Sequence, residues 1–157
     1  MPSLATRLRL QPTGSGTICR EVLTALPQWF GIAQSVNDYI AVADRSPTVV
    51  ASVGTDDVGF LTLVRHSEYA AEVYVMGVLP HLHRRDIGSH LLEHAERSLA
   101  ADGVEFLQVK TLSPSKRDDG YARTRAFYVA KGFRPLEEFP DLWGRENPAL
   151  QMVKTLR

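Results

Sequence analysis

The junction around residue 80 constrains the fold more than any other part of the sequence. Residues 71–79 are rich in β-branched and aromatic side chains, which predicts a buried strand, and Pro80 ends it because proline has no N–H for a strand ladder. A short basic loop follows, and residues 86–101 then repeat apolar side chains at helical spacing. A buried strand that leads through a short loop into an amphipathic helix is typical of a sheet covered by helices.

The remaining segments extend this pattern over the chain. Runs of alternating, β-branched or aromatic residues predict further strands, and apolar residues at helical spacing predict further helices. The predicted strands are 5–10, Thr48–Val53, 58–64, Phe106–Leu112, 135–139 and 150–156, and the predicted helices are 18–30, 33–43 and 121–131. The expected fold class is therefore α/β, with a mixed sheet of about seven strands and helices on both faces.

Length and charge limit the number of domains and the kinds of partner. The chain has 157 residues, which predicts a single domain over residues 1–157. Its 18 Lys and Arg residues balance 18 Asp and Glu residues, so no general attraction to nucleic acid or to an anionic membrane is expected. Cys19 has no partner for an internal disulfide, and no apolar segment is long enough for a bilayer span or a signal peptide. We therefore expect a cytoplasmic protein.

The basic loop before residue 86 has the chemistry of an anion site. A helix N-terminus leaves backbone N–H groups without partners and carries partial positive charge, which favours phosphate or pyrophosphate. His83, Arg84 and Arg85 add positive charge next to that terminus. An ordinary solvated loop between a strand and a helix explains the same residues equally well.

Three short motifs carry a resemblance to a known family. They are Ile87-Gly88 behind the basic loop, Arg125-Ala126-Phe127-Tyr128 in the last predicted helix, and Gly132-Phe133 behind that helix. Together with the element order, they resemble the GNAT superfamily of acyl-CoA-dependent N-acetyltransferases. The resemblance implies a mostly antiparallel sheet, acetyl-CoA as the acyl donor, and direct acetyl transfer to a primary amine of a small molecule or peptide.

The resemblance also implies where the coenzyme A part of the donor binds. The family's pyrophosphate motif is glutamine or arginine, two residues, glycine, one residue, then glycine or alanine. Its fixed positions fall on His83, Asp86 and Gly88, and only Gly88 is a strict match. The pantetheine arm is expected between two diverging strands, 71–79 and Phe106–Leu112. The residues that the resemblance assigns to the cofactor are Val78, Leu79, His83, Arg84, Arg85, Asp86, Ile87, Gly88, Ser89 and His90.

Asp86 is the main departure from the family's motif, because it stands in place of a glycine. Aspartate is a favoured N-cap residue, so its carboxylate is expected to accept hydrogen bonds from the N–H groups that should hold the pyrophosphate. Its charge would also repel a phosphate. Either the carboxylate points away from the ligand, or it weakens cofactor binding.

Two residues are candidates for the proton transfers of an acetyltransferase. Glu72 lies at the start of a predicted central strand, where the resemblance implies a glutamate base, and partial desolvation suits it to accept a proton. A solvated strand end is the alternative for this residue. Tyr128 lies where the resemblance implies an acid that protonates the leaving thiolate, and the alternative is an aromatic side chain packed in the core. The oxyanion donor is expected to be the backbone N–H of Val78 or Leu79.

Other interpretations remain open at this point. The module could bind an acyl-CoA without catalysis, because His83 and Asp86 weaken the motif. His90, Glu93 and His94 also match the H-x-x-E-H pattern of zinc hydrolases, which short sequences meet by accident.

The acceptor is the least defined part of the sequence-based interpretation. We expect the helical region 17–43 and the last two strands to shape its pocket, with Trp29, Phe30 and Tyr39 as aromatic candidates that core packing explains equally well. The sequence names no particular amine. It also leaves open whether the chain forms a homodimer.

Overall fold

A computed structural model describes residues 5–31, 33–83 and 85–156, which form a seven-stranded sheet and four α-helices. The strands are β1 Thr6–Gln11, β2 Thr48–Val53, β3 Asp56–Arg65, β4 Ala70–Val78, β5 Phe106–Leu112, β6 Arg134–Phe139 and β7 Ala149–Thr155. The helices are α1 Gly16–Thr24, α2 Ala33–Arg45, α3 Ile87–Ala101 and α4 Asp119–Ala130, and a 3₁₀ turn covers Pro80–Leu82.

The sheet has the strand order β1-β2-β3-β4-β5-β7-β6. Every neighbouring pair is antiparallel except β4 and β5, which run parallel. A parallel pair needs a crossover connection, and α3 supplies it. The predicted mixed, mostly antiparallel sheet is therefore confirmed, and the exceptional pair lies at its centre.

Strand alternation divides the core between the two faces of the sheet. Phe60 and Val75 face α1 and α2, where they pack with Val22 and Leu23. Leu61 and Val73 of the same strands face the opposite side, where the core includes α3 and the end of α4. Because successive strand residues point to opposite faces, β3 and β4 serve both layers, as a strand covered on both faces must. Helices on both faces are thus confirmed.

Most predicted boundaries agree with the structure to within two residues, and the first helix is the main exception. The predicted helix 18–30 ends at Thr24 in the structure, with Ala25 as its C-cap. The cause is Pro27, which has no N–H to donate to the Leu23 carbonyl four residues earlier. Leu26 donates to that carbonyl instead, at 3.0 Å, and the chain leaves the helix through a tighter turn.

None of the helices in the described residues is both long enough and apolar enough to cross a membrane.

Candidate active site

The centre of the sheet opens between β4 and β5. The two strands pair from Ala70 and Phe106 to Val73 and Val109, and beyond that point they separate. We call the space between the diverging halves the strand gap. The predicted divergence of these strands is therefore confirmed, and backbone groups along both strands lose their ladder partners there.

The backbone of Val78 faces the strand gap, whereas that of Leu79 does not. Leu79 N–H donates to the Val58 carbonyl of β3 at 2.9 Å, so the prediction that it could serve as an oxyanion donor is wrong. Successive N–H groups along a strand point to opposite edges. Because Leu79 N–H points to β3, the N–H of Val78 points to the edge where β5 has moved away.

A buried hydroxyl lies on the other side of the strand gap. Thr111 is two residues beyond the last paired residue of β5 and is 4% exposed. Among the described residues, its Oγ1 is the fully buried side-chain polar atom without a hydrogen-bond partner. An orphaned polar atom of this kind costs free energy unless a ligand or a water satisfies it. The strand gap therefore offers polar groups from both strands to a bound molecule.

The first turn of α3 presents free backbone donors next to the strand gap. Ile87, Gly88 and Ser89 occupy its first three positions, so their N–H groups have no acceptor within the helix. The side chains of Ile87 and Ser89 are buried, which leaves only their backbone for a ligand. The side chain of His90 is exposed on the same turn.

Asp86 leaves these donors free. It is the N-cap residue by position, but its exposed side chain makes no capping hydrogen bond, so the expected competition with a phosphate through capping is wrong. Its backbone is left-handed, with φ at 58°. This conformation favours glycine and is tolerated by aspartate, which gives a physical reason for a glycine at this motif position.

His83 points to the strand gap rather than to the helix terminus. Its Nε2 lies 2.6 Å from the Val78 carbonyl oxygen, which can only accept, so this nitrogen carries the proton. The ring also meets the edge of Trp29, with 6.2 Å between centroids. Arg85 is exposed beside the loop, and Arg84 lies outside the described residues.

Tyr128 is held firmly by the end of α4. Gly132 has φ at 99° and ends the helix, and the Phe133 N–H returns to the Tyr128 carbonyl at 3.0 Å, the bond pattern of a Schellman motif. The Tyr128 ring packs edge-to-face on Phe127 and Phe133, at 5.3 Å from each. These contacts explain why Gly132 and Phe133 follow α4: Gly132 ends the helix, and Phe133 packs on the Tyr128 ring.

The hydroxyl of Tyr128 is not used in the packing that holds the ring. The residue is 5% exposed, and its hydroxyl takes part in none of the side-chain hydrogen bonds found among the described residues. Burial raises the pKa of Tyr128 well above its usual value, so the phenol stays protonated. Arg125 ties the same helix to β5 through a 2.6 Å bond to the Leu112 carbonyl, which fixes α4 beside the strand gap.

Glu72 lies on the opposite face of the sheet from Tyr128, near the start of the strand gap. It is 6% exposed, so the alternative of a solvated strand end is wrong. Its Oε1 is 2.7 Å from His66 Nε2, and its Oε2 is 3.1 Å from Lys110 Nζ. Each carboxylate oxygen has two lone-pair sites, so each can still accept a proton from a further group.

Glu72 opens into a cavity of about 340 Å³, which we call the α2 cavity. One wall comes from α2, the floor from β4 and β5, and the cover from the connection between β6 and β7. Its lining residues are Ser35, Asp38, Tyr39, Glu72, Tyr74, Lys110, Leu142 and Trp143. Of the predicted elements, α2 lines this cavity, and the connection between the last two strands lines it instead of the strands themselves; β4 and β5 were not predicted to contribute.

The predicted aromatic residues differ in their positions. Tyr39 lines the α2 cavity, and its ring meets Tyr74 at 5.7 Å and Phe30 at 5.8 Å, both edge-to-face. Burial is the main reason that the pKa of Tyr39 is raised to about 12. Trp29 instead lies by His83 and accepts a hydrogen bond at its carbonyl from the Tyr121 hydroxyl at 3.2 Å.

Several site residues were missed by the sequence analysis. Lys110 could have been found from strand alternation, because it shares with Gln108 the face of β5 on which the pairing of Gln108 with Glu72 places that carboxylate. His66, Asp38 and Trp143 come from a turn, a helix and a loop without a motif, and only the folded chain brings them together. Thr111 has the sequence appearance of an ordinary strand residue.

The site supports neither zinc-dependent hydrolysis nor a cysteine nucleophile. In the described part of the chain, no three His, Cys, Asp or Glu side chains are placed to hold a metal ion, although the zinc-hydrolase interpretation needs such a group. Cys19 is fully buried, and burial raises its pKa to about 12, so it is unreactive as a nucleophile.

Comparisons with known proteins agree with this geometry. Residues 44–135, more than half of the chain, match the family model of the acetyltransferase (GNAT) domain. No curated protein matches the sequence. A solved GNAT-family protein from Desulfovibrio desulfuricans is 18% identical, with a TM-score of 0.84 over 98% of this chain and 100% of that chain.

Two further solved structures are of acetyltransferases named for their acceptors. The ribosomal-protein-S18-alanine N-acetyltransferase from Escherichia coli is 17% identical, with a TM-score of 0.76 over 97% of this chain and 94% of that chain. An aminoglycoside 6′-N-acetyltransferase complexed with coenzyme A is 16% identical, with a TM-score of 0.73 over 96% and 97%. These likenesses show the fold, and the family model shows the family. The chain therefore belongs to the GNAT family of acetyltransferases, and it is an enzyme of acetyl transfer.

Proposed function

We propose that this enzyme transfers the acetyl group of acetyl-CoA directly to a primary amine bound in the α2 cavity. The observation that carries the proposal is the position of Glu72, a buried carboxylate that lines the cavity and lies one residue before the strands separate. A base at this place can take a proton from an amine in the α2 cavity while acetyl-CoA is held in the strand gap.

The residues around the strand gap fit the coenzyme A part of the donor. The Val78 N–H offers a polar partner to the amide-containing pantetheine arm, and the Thr111 hydroxyl without a partner lies on the facing strand. The N–H groups of Ile87, Gly88 and Ser89 offer a pyrophosphate site, with Arg85 adding positive charge. The acetyl thioester supplies the activated carbonyl when it is bound.

Glu72 takes the role of general base in this proposal. A primary amine is mostly protonated at neutral pH and must lose a proton before it can attack a carbonyl. His66 and Lys110 fix both carboxylate oxygens of Glu72, and the remaining lone pairs accept the amine proton directly or through one water. His66 and Lys110 act here as positioning residues.

Tyr128 takes the role of hydrogen-bond donor to the departing sulfur. Its phenol stays protonated because burial raises the pKa of Tyr128. A thiol has a pKa of about 8.5, so complete proton transfer from this phenol to a thiolate is uphill. The hydroxyl therefore stabilises the thiolate mainly by a hydrogen bond. The Val78 N–H is the donor that we assign to the developing oxyanion.

The test is a transfer assay with acetyl-CoA and a panel of primary amines. Free thiol release and the mass of the acetylated amine are measured for the wild type and for Glu72→Gln. The proposal expects amine-dependent thiol release that falls strongly in the variant. Coenzyme A binding without turnover of any amine would instead identify a binding module, and acetylation of hydroxyl groups alone would overturn the amine assignment.

The assay is repeated with propionyl-CoA in place of acetyl-CoA, because the choice of an acetyl group over a longer acyl group belongs to this proposal.

A cytoplasmic location is also part of the proposal. Its support is the single, buried thiol of Cys19.

A further inference from the structure

The charged groups that line the α2 cavity are not all compensated. Glu72 on the floor has Lys110 and His66 as partners. Asp38 on the α2 wall is exposed, and its carboxylate accepts a 3.2 Å hydrogen bond from the neutral amide of Gln34. Asp38 has no basic partner among the described residues. The wall of the cavity therefore carries one unbalanced negative charge.

The field of this carboxylate reaches the aromatic part of the cavity. Burial is the main cause of the raised pKa of both Tyr39 and Tyr74, the negative charges of Asp38 and Glu72 raise both further, and the positive charge of Arg45 at the end of α2 lowers the pKa of Tyr74. Asp38 therefore lies close enough to both rings to affect their ionisation. This is independent support for its side chain belonging to the cavity.

The cover of the cavity is apolar and unusually open to solvent. Trp143 is 42% exposed and Leu142 is 53% exposed, and both line the cavity opposite α2. With Tyr39 and Tyr74, they give the cavity an aromatic and aliphatic lining besides its two carboxylates. Aromatic faces attract cations, and they also pack well against methylene groups.

We infer that the acceptor is a small dication, such as a linear diamine, whose second positive charge binds Asp38 while its reacting amine lies at Glu72. This inference rests on the proposed function. Asp38 is then a specificity-determining residue, and the alkyl chain between the two amines lies along Trp143 and the tyrosines. An acceptor with a carboxylate is disfavoured, because Glu72 already neutralises the Lys110 ammonium.

The experiment compares matched pairs of acceptors that differ only in the second charge. Linear diamines of three to six carbons are compared with the monoamines of the same length, with acetyl-CoA, in the wild type and in Asp38→Asn. For the best chain length, the wild type is expected to prefer the diamine in kcat/KM by about fivefold, which is the effect of one ion pair near the surface. In Asp38→Asn this preference, counted per amine group, is expected to fall to about one.

Glu93→Gln is the matched control, because it removes an exposed negative charge from α3 on the other face of the sheet. It should leave the preference unchanged. In the wild type, the preference should also weaken as salt rises, because an exposed ion pair is screened.

The possible results separate this inference from the proposed function. Equal rates for diamines and monoamines, or a preference that survives Asp38→Asn, overturn the inference and leave amine acetylation in place. A preference for amines that carry a carboxylate also overturns it and assigns the selection to Lys110. If no amine of either kind is acetylated, both the proposed function and the inference fail.

Discussion

The two sides of the site are built in different ways. The donor side, around the strand gap and the first turn of α3, offers mainly backbone groups: the N–H groups of Val78 and of residues 87–89. The acceptor side, the α2 cavity, is lined by side chains from α2, β4, β5 and the loop before β7. Backbone groups are present whatever the side chains are, so the donor side tolerates sequence change that would alter the acceptor side.

This contrast explains how Asp86 can replace a glycine without removing the donors. The left-handed backbone at Asp86 is kept, and the N–H groups behind it remain free. On the proposed acceptor side, by contrast, we expect one charge, that of Asp38, to select the amine. The predictions below test that difference, beginning with the largest expected effect.

Removal of the carboxylate on the acceptor side should have the largest effect. Glu72→Gln is expected to lower kcat/KM for an amine by about 10²- to 10³-fold at pH 7, because general-base catalysis is lost. The defect should shrink towards pH 9, since an amine with a pKa of about 10.4 gains about 100-fold in its free form between pH 7 and pH 9.

Glu96→Gln is the control for this experiment. Glu96 is also partly buried and paired with a lysine, Lys154 at 2.8 Å, but it lies outside the α2 cavity. It should leave kcat/KM unchanged. A uniform loss in Glu72→Gln at every pH would assign Glu72 to acceptor binding instead.

The residues around the strand gap were easier to predict from the sequence than those of the α2 cavity. The strand-proline-helix junction at Pro80 and the Gly132-Phe133 cap are local patterns, so the start of α3 and the place of Tyr128 near the end of α4 could be predicted. Two strands, Thr48–Val53 and Phe106–Leu112, have the predicted bounds. The acceptor side depends on packing between distant segments, so sequence patterns led to Glu72 and Tyr39 but not to Asp38 or Lys110.

The next effect concerns the hydroxyl of Tyr128. Tyr128→Phe keeps the ring and its contacts with Phe127 and Phe133, so folding and coenzyme A binding should hardly change. We expect kcat to fall by about 10²-fold, the low end of general-acid effects, because a thiolate is a fairly stable leaving group. The loss should be similar at pH 7 and pH 9, since burial raises the pKa of Tyr128 and the phenol stays protonated at both.

Single-turnover measurement of the chemical step is the right readout for Tyr128→Phe. A change of less than about threefold on that step, far below the general-acid range, would assign the role to water or to another residue. A large loss of thermal stability would instead show that the hydroxyl is structural.

A smaller effect, on coenzyme A binding, is expected when a larger side chain at Gly88 covers the free N–H groups of α3. A Cβ at Gly88 would lie 3.7 Å from Met76 and Phe127, which is ordinary contact, so Gly88→Ala should be tolerated. Gly88→Leu needs more space there and should weaken coenzyme A binding at least tenfold. At a ligand concentration of 100 Kd for the wild type, the stabilisation by coenzyme A would fall from about 2.7 to about 1.4 kcal/mol or less.

Thermal unfolding with and without coenzyme A measures this effect. Gly88→Ala is the control, and it should keep the full shift of Tm. An unchanged Tm of the wild type at saturating coenzyme A would contradict the donor site as a whole, and a full shift in Gly88→Leu would place the pyrophosphate elsewhere.

The smallest effect is expected at Asp86, and it separates backbone strain from charge. Asp86→Gly should stabilise the protein by up to about 1 kcal/mol, because glycine adopts the left-handed backbone without the Cβ penalty. Asp86→Asn keeps the Cβ and removes only the charge, so its free energy of unfolding should stay close to that of the wild type. Since the Asp86 side chain caps no N–H group, both variants should bind coenzyme A within about threefold of the wild type, the size of one exposed charge effect. Equal tightening of tenfold or more in both variants, measured by calorimetric titration, would mean that the carboxylate does oppose the phosphate, and that the donor side is as sensitive to side-chain charge as the acceptor side.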